Sequence, residues 1–300
     1  MTIKSYLDVD VDIRKKSLET EAGKYFLNLM PEDLRDYFVM SFLYFIHPGL
    51  QLVKNHLVNH SEFFRLNLGR IASARACEIL YKKDNGIGPL DKYFLMSNAG
   101  KQMFSRLQIF TSRIPLIILS RFGSEKILID NVGSGAGHDM IEVLMENTNI
   151  KNRAHVRNID IDAKMLKRGQ KIVEELGIAD CFSFFNLKVE EWKPKEKADL
   201  VLFMGMLCSK KFQESIRCLS FLKKRVCADN GFIVFSTTTE KMIQDDSLTD
   251  FIMREIGKWS LSPKTDLEVL EIARLAGFQV EGEFYEEPLR HHRITIARKI

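Results

Sequence analysis

The chain of 300 residues sets 44 Lys and Arg against 40 Asp and Glu for a net charge of +4, and 45% of it is hydrophobic. That composition suits a globular protein able to bury a full core, and so small a charge gives no reason to expect a nucleic-acid partner. Five scattered cysteines (Cys77, Cys181, Cys208, Cys218, Cys227) form no CxxC pair, and no histidine stands at ligand spacing. They argue against a disulfide framework or a zinc site and for reduced thiols in a cytoplasmic protein.

The opening MTIKSYLDVDVDIRKK alternates acid and base and lacks the apolar centre of a signal peptide. Pro31-Glu32-Asp33 reads as a first helical turn, since proline suits that position and acids suit the positive end of the helix dipole. That helix runs through Phe38, Phe42, Leu43 and Phe45 until Pro48-Gly49 breaks it. Its apolar run FVMSFLYFI is about half the roughly 20 residues needed to cross a bilayer, so it reads as a buried helix and no membrane partner is expected. A second helix is expected over 50–81, with apolar residues near helical spacing from Leu52 to Ile79, then a loop at 82–89. A third is expected over 98–120, kinked or restarted at Pro115. Residues 1–120 therefore read as an all-helical domain.

From Glu125 the pattern alternates strand and helix. Strands are expected at 126–132, 154–161, 182–188, 199–205, 231–237, 278–286 and 292–299, with helices at 138–147, 163–176, 211–224, 247–257 and 265–276. Alternation of this kind implies an α/β domain over 121–300, a mostly parallel sheet with helices on both faces. The last two strands are joined by a link too short for a crossover, so one of the seven is reversed.

The glycine turn after the first strand carries the chemistry. It reads Gly133-Ser134-Gly135-Ala136-Gly137-His138, so the place where a GxGxxG dinucleotide fingerprint needs glycine holds His138, and no GK[ST] follows. NAD, FAD and P-loop chemistry are disfavoured. With Asn131-Val132 before it and Asp160 ending the second strand in RNIDIDAKMLKRG, the stretch resembles the class I S-adenosylmethionine (SAM) dependent methyltransferases, small-molecule type. The resemblance covers about residues 125–300 and includes the helix opening at Ala163-Lys164-Met165 and the terminal hairpin.

What the resemblance implies is an enzyme that moves a methyl group from SAM to an O-, N- or C-nucleophile of a small molecule and releases S-adenosylhomocysteine (SAH). The expected cofactor contacts are Asn131, Gly133, Ser134, Gly135, Gly137, Asp160, Ile161, Lys188, Val189, Met204 and Gly205. Two of them depart from the family. Asp or Glu usually stands where this chain has Asn131, and Asp130 beside it points to the other face of the strand; Asn131 keeps an uncharged acceptor oxygen, so weaker cofactor binding is expected. Lys188 stands where the family often has an Asp for the adenine amino group.

The remaining residues are read modestly. No [DN]PP[YF] follows the fourth strand, where the chain runs Met204-Gly205-Met206-Leu207-Cys208, which weakens an adenine-methylating reading. No carboxylate cluster suggests a metal, and Cys208 reads as a small buried cysteine. His138 is expected to be a first-turn helix residue, His291 and His292 surface residues beside the final hairpin turn, and Glu240 a loop acid. Tyr93, Arg106 and Arg113 are expected to be structural or solvated residues of a lid, and no general base is named. The Phe-, Leu-, Met- and Tyr-rich first half is expected to cover an apolar or aromatic acceptor, or to form a homodimer contact. Two other readings keep the fold: transfer of SAM's aminocarboxypropyl arm, as in nicotianamine-synthase-like enzymes, and a SAM-fold protein that binds a partner without turnover.

Overall fold

The computed structural model describes residues 98–245 and 261–300, together with isolated positions at 58–59, 61–67, 91, 96 and 254. The helix expected from Pro31, most of the one at 50–81, the loop at 82–89, Tyr93 and nearly all of the expected 247–257 helix lie outside the described residues.

The first described helices are α1 (Glu62–Asn67) and α2 (Asn98–Phe122). Helix α2 does not restart at Pro115, which lies inside one continuous assignment. Proline removes a helical hydrogen bond, but Ile114, Ile117 and Ile118 on either side are buried in the core and hold both halves in place.

The sheet domain follows as β1 (Ile127–Val132), α3 (His138–Glu146), the one-turn α4 (Thr148–Lys151), β2 (Ala154–Asp160), α5 (Ala163–Glu175), β3 (Phe182–Asn186) and β4 (Ala198–Phe203). It continues with α6 (Phe212–Arg225), β5 (Cys227–Thr238), α7 (Glu240–Asp245), α8 (Asp266–Leu275), β6 (Phe278–Tyr285) and β7 (His292–Lys299). The seven strands lie in the order β3-β2-β1-β4-β5-β7-β6. Only β7 is reversed, pairing antiparallel with β5 on one side and β6 on the other. All seven expected strands form. The short α7 was not expected from the sequence.

Two cores sandwich the sheet. One face, with Ile127, Ile129, Val156, Leu200, Val234 and Ile294, packs against Phe110, Ile114 and Ile118 of α2 and Met140, Ile141 and Leu144 of α3. The other face, with Val132, Ile159, Val201, Ile233 and Ala297, packs against Leu219 and Leu222 of α6 and Val269 and Ile272 of α8. Helix starts are fixed by side chains: Asp162 accepts the N–H groups of Lys164 and Met165 at α5, and Thr265 with Glu268 forms a capping box at α8. Each such cap stabilises its helix by about 1 kcal/mol. No helix of the described residues is long and apolar enough to cross a membrane. The strand order reverses between the parallel neighbours β1 and β4, and the groove beyond their carboxyl ends is where open α/β sheets hold ligands.

Candidate functional site

The turn after β1 is built from left-handed backbone. Gly133, Gly135 and Gly137 have φ of 72°, 57° and 75°. At Gly137 a side chain is also sterically closed, because a Cβ there would come within 2.4 Å of the Asn158 amide nitrogen. Helix α5 presses on the turn from the other side, and a Cβ on Gly169 would come within 2.2 Å of the Ala136 carbonyl oxygen. The turn is closed by the Gly137 N–H donating to the Ser134 carbonyl at 2.8 Å. Helix α3 then starts at His138, as expected, with its first N–H groups facing the groove.

Asp160 holds this turn. Its Oδ2 accepts the Gly135 N–H at 2.8 Å and its Oδ1 accepts the Asp162 N–H at 2.8 Å. Each carboxylate oxygen has a second lone pair for a ligand hydroxyl. Ile161, next in sequence, is a large apolar residue left 71% exposed at the rim.

Asn131 is buried, and its Nδ2 donates to Asp139 Oδ1 at 3.0 Å. A carboxylate thus stands beside Asn131 after all, supplied by the first turn of α3. Burial pushes the Asp139 carboxyl up, opposed by the Met140 N–H and the Asn131 amide. Asp130 plays no part in the groove. It is fully buried on the opposite face, where it accepts Arg157 Nε at 2.5 Å and Trp192 Nε1 at 2.6 Å. Burial raises its carboxyl and the Arg157 pairing opposes that rise.

The other expected contacts lie just past the carboxyl ends of β3 and β4. Lys188 is exposed just past β3, its backbone N–H directed at Glu191 Oε2 at 3.3 Å. Val189 packs against the core on the α6 and α8 face. Past β4, Met204 packs against the core on the α2 and α3 face, and Gly205, at φ 75°, donates its N–H to Ser236 Oγ at 2.7 Å. The Met206 sulfur lies where a Cβ on Gly133 would sit within 2.7 Å of it.

One reading needs correction. His291 and His292 are not surface residues: their exposures are 0% and 3%. The link before β7 folds inward around buried Glu286, whose Oε1 accepts the N–H groups of both histidines, and β7 is an interior strand. His292 shares a strand face with Ile294 and Ile296, and this i, i+2, i+4 pattern was the available sequence signal. His291 Nε2 pairs with Asp245 Oδ2 at 2.9 Å, a residue of the unforeseen α7. Of the two expectations for Arg106, structural or solvated, the first holds. It is 7% exposed on α2, and a Cβ on Gly205 would meet its Nη1 at 3.3 Å. Arg113 is exposed, and Glu240, expected in a loop, is exposed but opens α7.

Cys208 is buried, and burial pushes its thiol up, away from nucleophilic thiolate character. Beside it Lys264 is 3% exposed, with Nζ donating to the carbonyls of Leu207, Lys210 and Ser262, which fixes the segment after β4. No group of three metal-ligating side chains occurs among the described residues.

The chain matches no model of a protein family and no curated protein sequence. Solved structures do match. A possible exported protein from Bordetella parapertussis aligns with a TM-score of 0.69 at 18% identity over 83% of this chain and 87% of its own. Magnesium protoporphyrin IX methyltransferase from Synechocystis PCC 6803, with bound SAH, aligns at 0.55 with 15% identity over 77% and 96%. The pyocyanin biosynthetic protein PhzM aligns at 0.51 with 17% identity over 81% and 71%. The fold is the Rossmann-like one of class I methyltransferases.

Proposed function

We propose that the chain is a SAM-dependent methyltransferase acting on a small molecule. The observation that carries this reading is the Asp160 clasp, a carboxylate at the end of β2 that accepts the Gly135 N–H of a turn built on three left-handed glycines. The groups around it fit the cofactor. Asp160 has lone pairs left for the ribose hydroxyls, and exposed Ile161 with Val189 offers apolar surface to the adenine, Lys188 lying at its edge. The opening N–H groups of α3 suit the carboxylate of the methionine tail, and Asn131 with Asp139 presents oxygens to its amino group. Ser134 and the glycines supply backbone, and Met204 and Gly205 close the side nearest the acceptor.

Bound SAM supplies a methyl group already activated on a sulfonium. The protein's work is therefore to align a nucleophile with that methyl and to exclude water. Solved methyltransferases of this fold, one of them holding SAH, support the reading.

Calorimetric titration with SAM, SAH and NAD tests it. The first two bind and NAD does not, and Asp160→Ala weakens SAM by roughly 10- to 100-fold, the worth of hydrogen bonds to a charged group. Equal binding of NAD, or binding indifferent to Asp160→Ala, would end the reading. Release of methylthioadenosine rather than SAH would redirect it to aminocarboxypropyl transfer.

A further inference from the structure

A buried lysine with no acid to answer it stands beside the carboxyl ends of β4 and β5. Lys264 is 3% exposed, and among the described residues its Nζ forms no ion pair. Burying an ammonium without a carboxylate is among the costliest choices a chain makes. Here carbonyls take its donors, those of Leu207 at 3.0 Å, Lys210 at 2.7 Å and Ser262 at 2.8 Å. Carbonyl oxygens that converge on one point repel one another unless a cation stands between them. The charge therefore sets the spacing of the segments that carry them.

Those carbonyls belong to two segments far apart in the chain. Residues 205–210 follow β4, and residues 261–264 form a strap across the neighbouring strand ends. The Ser262 N–H donates to the Cys208 carbonyl at 2.7 Å, and the Lys264 N–H donates at 2.9 Å to the carbonyl of Thr238, the last residue of β5. The gripped segment reaches the cofactor groove directly. Met206, joined to Leu207, sets its sulfur against Gly133 of the glycine turn, while Gly205 lies against Arg106 and donates to Ser236 Oγ. A shift of the Leu207 carbonyl is thus passed through one peptide unit to a side chain in contact with the turn.

We infer that Lys264 is a positioning residue for the cofactor groove, holding the segment after β4 so that Met206 meets Gly133 in the arrangement that binds SAM. The inference rests on the SAM reading above and goes beyond it, since Lys264 Nζ donates only to backbone carbonyls. The coupling runs both ways: whatever the strap does for SAM, SAM does for the strap.

The test uses the full chain, with SAM and SAH binding followed by calorimetry and amide hydrogen exchange followed residue by residue. Lys264→Met, which keeps the side chain's length and removes its charge, weakens SAM by at least about fivefold, the lower end of coupling between distinct sites. Lys264→Ala loses as much and regains affinity with added propylammonium, but not with tetramethylammonium, which carries the charge without N–H donors. Met206→Ala also weakens SAM, and joining it to Lys264→Met adds little further loss, because both act through one contact. In wild-type protein, saturating SAM slows exchange of the Ser262 and Lys264 amides by at least about fivefold. Unchanged SAM affinity in Lys264→Met, no rescue or equal rescue by the two cations, fully additive losses, or strap amides indifferent to SAM would each overturn the inference. Should the Lys264 variants fail to fold, the exchange measurement on wild-type protein decides alone. Failure of the cofactor reading shows differently, because wild-type protein would then bind neither SAM nor SAH.

Discussion

The two ends of the groove differ in how they are satisfied. At the β1–β2 end the carboxylates close on partners within the chain, Asp160 on Gly135 and Asp162, Asp139 on Asn131, and Asp130 on Arg157 and Trp192, while the Asn158 amide and Arg157 Nη2 keep buried atoms without partners. At the β5–β7 end, Gln102, Thr238 and His292 keep atoms that find no partner. Glycine geometry and backbone amides can be set by the chain alone, so the first end is organised before anything binds.

The sharpest way to break the contrast is on the satisfied side. Asp130→Ala leaves the Arg157 charge buried and unpaired on the sheet face and removes the Trp192 partner, so denaturant unfolding should register a loss of about 3–5 kcal/mol. Asp130→Asn, which keeps an acceptor for Trp192, should lose less.

On the unsatisfied side the effect appears through pH. Burial holds His292 well below its ordinary range, so the unfolded chain binds a proton that the folded chain does not. Stability from this group is fully present above about pH 6.5 and falls as the pH drops toward the lowered value, by up to about 1.4 kcal/mol per pH unit. His292→Gln should remove that slope from unfolding curves measured between about pH 6.5 and 5. An unchanged slope would mean that the imidazole is not buried neutral. The smallest effect belongs to Glu240→Gln, which lies past β5 but is exposed. It should shift stability by less than about 0.5 kcal/mol and leave SAM binding unchanged.

The parts of this architecture written in local patterns were legible in the sequence. Strand alternation, the glycine spacing and the short link before β7 gave seven strands with one reversed, because each depends on residues close in the chain. The place of Asp160 at the end of β2 was legible for the same reason. Asn131 looked like a loss because its partner Asp139 lies across the turn, and only folding brings the two to 3.0 Å. His291 and His292 were misjudged from their nearness to a turn, whereas their burial comes from β7 lying between β5 and β6. Arg106 needed the docking of α2 on the sheet, a contact that no local pattern announces.

The pairing of Trp192 with Asp130 has one practical consequence. An indole held in an apolar core against a fixed carboxylate emits at short wavelength, and it shifts red once water reaches it. Trp192 sits just past β3, while its partner is on β1, two strands away. Its emission, isolated by replacing Trp259, is therefore a built-in optical gauge of whether these strands stay together. That gauge could be followed in real time during refolding or cofactor titration without attaching any label.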